Sequence, residues 1–81
     1  MNSDDDNEVA LQEHLRTLEQ EIAQVAATAA ELRERLGQGE DEPTDPEERT
    51  ATLTAAEEQE AILASLEHHR RELLERLAAR A

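Results

Sequence analysis

An uninterrupted heptad repeat in the first half of the chain constrains its fold more than any other feature. The apolar residues of this half follow one another at steps that alternate between four and three positions: Leu11, Leu15, Leu18, Ile22, Val25, Ala29, Leu32 and Leu36. This spacing puts all of them on one face of an α-helix and is typical of a coiled-coil seam. We therefore predict a first helix over residues 7–36, preceded by a disordered acidic tail over residues 1–6.

A loop and a second helix follow. Two glycines, a proline and several acids over residues 37–44 predict the loop, with Gly37 in the left-handed conformation at the end of the first helix. Asp45 can cap the next helix, Pro46 suits its first position, and Glu48 completes a capping box. Because no helix-breaking residue follows, we predict a second helix over residues 45–80 in the same single domain.

The second helix carries a broader apolar stripe, composed of Leu53, Ala56, Ile62, Leu63, Leu66, Leu73, Leu74 and Leu77. A short loop makes the two helices antiparallel neighbours. If the numbers of paired residues sum to about 84 or 85, apolar residues meet in nearly every layer. The exceptions are Val25, which faces Gln59, and Leu15, which faces Arg70. The predicted fold class is all-α: an antiparallel two-helix coiled-coil hairpin.

Adjacent apolar residues in the second helix suggest that this hairpin associates. Such neighbours lie on two adjoining faces, and a single partner helix covers only one of them. We expect a second copy, giving a four-helix bundle, or a partner helix to cover the other. The predicted interface consists of Ile62, Leu63, Leu66, Leu73, Leu74 and Leu77.

Charge and composition restrict the classes of function. The 81 residues have a formal net charge of -13, which repels phosphate backbones and anionic membranes, so we expect no direct nucleic-acid or membrane partner. No apolar run is long enough to span a bilayer, and we expect a cytoplasmic protein. All basic residues are arginine, which we interpret as GC-rich coding.

Catalytic and metal chemistry have few candidate residues. In the predicted register His14 lies within about one turn of His68 and His69, with Glu13 and Glu67 beside them, but no pair has the spacing of a metal motif along one helix. We interpret these histidines as a solvated helix face and predict no metal site. The serines and threonines have no base and orienting group beside them, and no phosphate-binding loop is present. We predict no enzyme and no cofactor.

The acids around the loop, Asp41, Glu42, Asp45 and Glu48, have two interpretations. Acids near a helix N-terminus stabilise it through the helix dipole. Alternatively, they form an acidic tip that a partner recognises.

The segment from Asp45 to Ala51, followed by a Glu-rich helix and then by residues 70–77, resembles the tip and descending arm of the DksA/TraR hairpin. Members of this bacterial family insert an acidic-tipped coiled coil into the secondary channel of RNA polymerase, and Gre factors use a similar device. The resemblance implies that Asp45 and Glu48 are the tip acids. It covers about 35 residues by the length of those segments, and the cysteines of the family's zinc finger are absent from the sequence.

The sequence thus predicts a non-enzymatic protein-interaction module that binds itself or a partner helix through its leucine seam. The alternative is a transcription regulator that inserts an acidic tip into RNA polymerase.

Overall fold

Two long helices make up the described part of the chain. The computed structural model describes residues 3–38 and 45–80, with side chains over residues 7–37 and 45–80. Helix α1 spans Ser3–Gln38 and helix α2 spans Pro46–Ala79, and they pack against each other along an elongated body of 64 × 16 × 14 Å. No strand occurs in these two stretches, so the all-α prediction is confirmed. The part of the predicted loop between residues 39 and 44 lies outside the described residues.

Helix α1 begins earlier than the heptad repeat suggested. Ser3–Asp6, which we placed in a disordered tail, are helical. The first turn of α1 therefore includes positions 4–6, which the sequence fills with aspartate.

The end of α1 also differs from the expectation. The helix continues through Gly37 to Gln38, and Gly37 has no positive φ, so it does not form the left-handed C-cap that we expected. The physical reason lies in α2. The Arg49 guanidinium donates a hydrogen bond of 3.2 Å to the carbonyl oxygen of Leu36, and this supplies a partner that a glycine-based cap would otherwise supply.

Helix α2 begins at Pro46 and is capped by the residue before it. Asp45 lies just before Pro46, and its carboxylate oxygen Oδ1 accepts a hydrogen bond of 3.1 Å from the backbone N–H of Glu47. The carbonyl of Asp45 accepts the backbone N–H of Arg49 at 3.0 Å, which starts the helical ladder. The proline, which lacks an N–H, occupies a position where no intrahelical bond is required.

The core is a thin line of contact between the helices. The fully buried side chains are two on each helix, Leu18 and Ala29 on α1 and Ala56 and Leu73 on α2. The other six members of the α1 repeat are half-buried. On α2 the buried and half-buried positions include a second unbroken series of four- and three-residue steps: Thr52, Ala56, Gln59, Leu63, Leu66, Arg70, Leu73 and Leu77.

This second seam is not the apolar stripe that we predicted for α2. Leu53, Ile62 and Leu74 are exposed, whereas Gln59 and Arg70, which lie outside that stripe but face the first helix in the predicted register, are half-buried in the line of contact. The helical period decides which positions face α1, and it does so regardless of residue type. Gln59 and Arg70 fit because their aliphatic stems pack while their polar ends reach water.

The conformation of Gly37 leads to a first prediction. A Cβ atom at this position would meet nothing within 4 Å, and the backbone is helical. Replacing Gly37 by Ala should therefore stabilise the fold by about 0.4–1 kcal/mol, because alanine loses less backbone entropy on folding. Urea unfolding followed by circular dichroism measures this, with Ala27→Gly on the exposed face of α1 as the reverse control. A destabilised Gly37→Ala variant would indicate the left-handed cap instead.

Neighbouring leucines in α2 provide a second, matched prediction. Leu73 is 1% exposed and Leu74 is 46% exposed. Leu73→Ala should cost about 2–4 kcal/mol because it leaves a cavity in the seam, and Leu74→Ala should change stability by less than about 0.5 kcal/mol. The same urea titrations measure both. Equal losses for the two variants would contradict the described seam.

Candidate functional site

Four residues of the predicted partner interface belong to the internal seam. Leu63, Leu66 and Leu77 are half-buried and Leu73 is buried, and α1 is the only other described element that can cover them. They hold the two helices of this chain together. A partner therefore reaches these leucines only at the edges that α1 leaves open.

Ile62 and Leu74, the other two residues of that interface, are 45% and 46% exposed, but they do not form one patch. Ile62 precedes the seam residue Leu63 and Leu74 follows the seam residue Leu73, so they lie on opposite sides of the line of contact. Residues seven positions apart share a side. We call the stripe of Leu53, Glu60, Glu67 and Leu74 the first flank, and the stripe of Ala55, Ile62, His69 and Arg76 the second flank.

The first flank is joined to α1 by an ion pair. Arg33 Nε donates to Glu60 Oε2 at 2.9 Å and Arg33 Nη2 donates to Glu60 Oε1 at 2.6 Å, a two-pronged contact between the helices. The hydrogen bond from Arg33 lowers the pKa of Glu60, and the hydrogen bond to Glu60 raises the pKa of Arg33.

These pKa shifts fix the pH range in which the pair acts. A carboxyl whose pKa is lowered in the folded chain stabilises it above the ordinary pKa of that carboxyl, and this contribution is lost as the pH falls through the lowered pKa. Both side chains remain substantially exposed, so water screens the attraction. The pair therefore contributes more to the alignment of the helices than to their stability.

The second flank is joined to α1 by two imidazole rings. The ring centroids of His14 on α1 and His69 on α2 are 5.1 Å apart, and the ring planes are inclined by 84°. His68 is directed elsewhere, because its Nε2 lies 2.8 Å from Oε1 of Glu72 on the same helix. Of the three histidines, the structure brings together His14 and His69.

The acidic end is described in part. Asp41 and Glu42 lie outside the described residues. The Asp45 carboxylate caps α2 through Glu47, and Glu48 is exposed in the first turn of that helix. Asp45 thus has a definite role in the fold whether or not a partner recognises it.

Sequence reasoning missed the cross-helix roles of Arg33, Arg49 and Glu60. Arg33 and Glu60 each follow a seam residue directly, Leu32 and Gln59, and such positions pair across coiled coils. The signal for this pair was therefore present in the predicted register, which already placed Gln59 opposite the first helix, but the neighbouring Arg33 and Glu60 were not considered. Arg49 carried no comparable signal, because its partner is a backbone carbonyl.

Comparison of the chain with protein-family models, with curated proteins and with solved structures found no match. Within the part of the chain that the structure describes, no helix has the length and apolar character needed to cross a membrane. The features of the described residues that bear on function are therefore the seam, its two flanks and the acidic end.

Proposed function

We propose that this chain is a non-enzymatic protein-interaction module, an antiparallel helical hairpin that associates with a second copy of itself. The antiparallel arrangement is supported by contacts at both ends. His14 near the start of α1 touches His69 near the end of α2, and Arg49 near the start of α2 binds the carbonyl of Leu36 near the end of α1.

The observation that carries the proposal is the large surface that the helix pair leaves exposed. A compact protein of 9.1 kDa has about 4,900 Å² of accessible surface by the usual scaling with mass. This chain exposes 6129 Å², about 1,200 Å² more than that scaling gives. A stable interface takes about 800 Å² from each partner, so the excess is enough for one.

The thin core adds a thermodynamic reason. Leu73 is the largest fully buried side chain, and most other seam residues are half-buried. A two-helix unit of this size is marginal alone because one line of contact buries too little apolar area. A second copy packed on a flank would cover the open edges of the seam and produce the four-helix bundle that the sequence predicts.

A non-enzymatic role is supported by the character of the buried groups. Among the residues with described side chains, every buried side chain is apolar. Catalytic groups commonly depend on burial to shift their pKa values, and among the residues with described side chains the shifted pKa values are those of the Arg33–Glu60 pair at the surface.

The second candidate is the regulator with an acidic tip. The observation that favours it is the inward direction of Arg49, whose guanidinium binds Leu36 and leaves the neighbouring carboxylate of Glu48 exposed at the end of the body. Charge of this kind suits a basic channel or groove in a partner protein.

Self-association is tested by sedimentation velocity over a concentration series, recorded with interference optics because the chain has no aromatic residue. We expect a dimer at tens of micromolar and a melting temperature that rises with concentration, because association stabilises the folded state by mass action. Ile62→Glu and Leu74→Glu each place a charge on one flank, so the variant that dissociates identifies the covered flank and the other is its control. A fully helical monomer at these concentrations would exclude self-association.

The acidic-tip candidate is tested with Asp45→Asn combined with Glu48→Gln. Asparagine keeps the helix cap nearly as well as aspartate, so this variant removes two charges while changing stability by less than about 1 kcal/mol. If the tip is the recognised surface, binding to core RNA polymerase in a pull-down should fall about tenfold, as expected for charged contacts at an interface. Undiminished binding by the variant, or no binding by the parent chain, would contradict this candidate.

A further inference from the structure

We propose that His14 and His69 form a binding site for a divalent transition-metal ion of the zinc type, held between the two helices of one chain. The site lies within one chain and does not require the proposed self-association, although His69 belongs to the second flank, one of the two flanks that a second copy could cover. Spacing along one helix argued against a metal site, but the two imidazoles come from different helices. The two rings lie close together because the helices pack side by side, so no sequence motif within either helix indicates the site.

The distance between the rings fits a shared metal ion. A zinc–nitrogen bond measures about 2.0–2.1 Å, so the metal lies about 3.2 Å from the centroid of each ring that binds it. At a tetrahedral angle of about 109°, two such rings have centroids about 5.2 Å apart. The observed separation is 5.1 Å. The two rings thus already lie within the reach of one ion, and binding requires the exposed side chains to turn a nitrogen of each ring towards it.

The position of the pair also favours binding. Both histidines are exposed, so an ion reaches them without any opening of the core. Each directly precedes a seam residue, Leu15 or Arg70, and such positions face each other across a helix pair. The net charge of -13 raises the local concentration of cations, while Arg70 and Arg71 oppose this locally.

The ligand set defines the class of metal. Imidazole suits zinc, copper and nickel, whereas magnesium and calcium prefer oxygen ligands. Among the described residues, no group of three or more histidine, cysteine, aspartate or glutamate side chains is gathered to hold a metal ion. Water therefore completes the coordination, and the site is weaker and more exchangeable than a structural zinc site with four protein ligands.

Metal binding would cross-link α1 to α2 through His14 and His69. Because the unfolded chain does not hold the two rings together, an ion that binds the folded pair shifts the folding equilibrium towards it. Metal at about ten times its dissociation constant makes folding roughly tenfold more favourable. For a chain of this size that corresponds to a rise of about 5 °C or more in melting temperature.

The experiment measures thermal melts of the full chain by circular dichroism with zinc chloride, nickel chloride, calcium chloride or a chelator. We expect zinc and nickel to raise the melting temperature of the parent chain and of His68→Gln, and calcium to have little effect. His14→Gln and His69→Gln should each lose the increase. His68→Gln is the matched control because it also removes one imidazole from α2, but one whose Nε2 pairs with Glu72 along its own helix.

The concentration dependence of the melting temperature and the absorption of bound cobalt(II) provide two further tests. The increase should be the same at different protein concentrations, because the site lies within one chain, and an increase that grows with concentration would instead assign the metal to an interface between copies. Cobalt(II) should give the visible absorption of a tetrahedral ion with nitrogen ligands in the parent chain and lose it in His14→Gln. An equal response of all variants to zinc, or an equal response to calcium, would reduce the effect to general screening of the acidic surface and overturn the proposal.

Discussion

The packing of one helical seam against the other is the interaction on which the rest of the structure depends. Among the described side chains it contains all four that are buried. The residues outside the seam are exposed or, like Glu60, half-buried, and the ion pair on the first flank and the ring pair on the second depend on that one line of contact for their position. The contacts on the two flanks help to fix the alignment of the two helices on either side of the seam.

The helices were the most predictable part of the chain. Eight apolar residues at strict heptad spacing define the face of α1, and each of them is buried or half-buried. The apolar stripe of α2 was a poorer guide to its seam, because Leu53, Ile62 and Leu74 lie beside the seam and because two seam positions, which the predicted register indicated, hold Gln59 and Arg70. Reading apolar residues as the buried face fails wherever a long polar side chain occupies a contact position, because its stem packs as an aliphatic chain does.

The candidate sites were less predictable for a related reason. The Arg33–Glu60 contact exists only once two helices take up a particular alignment, and a shift of a few residues would separate the two side chains. The predicted register brought His14 within about one turn of His68 and His69 but did not indicate which of these two rings it meets. The heptad spacing within one helix determines the face on which a residue lies. It does not determine which residue of the other helix that residue contacts. Asp45 could be assigned because a helix cap is a local interaction, settled by its own backbone and the next few residues.

The contact between Arg49 and the Leu36 carbonyl has a consequence for how the chain can vary. It joins the end of α1 to the start of α2 through groups that belong to the two helices themselves, so this contact does not involve the residues between them. The entropic cost of closing a longer loop grows slowly, by about 0.6 kcal/mol for each doubling of its length. Insertions between the two helices should therefore weaken their packing only a little.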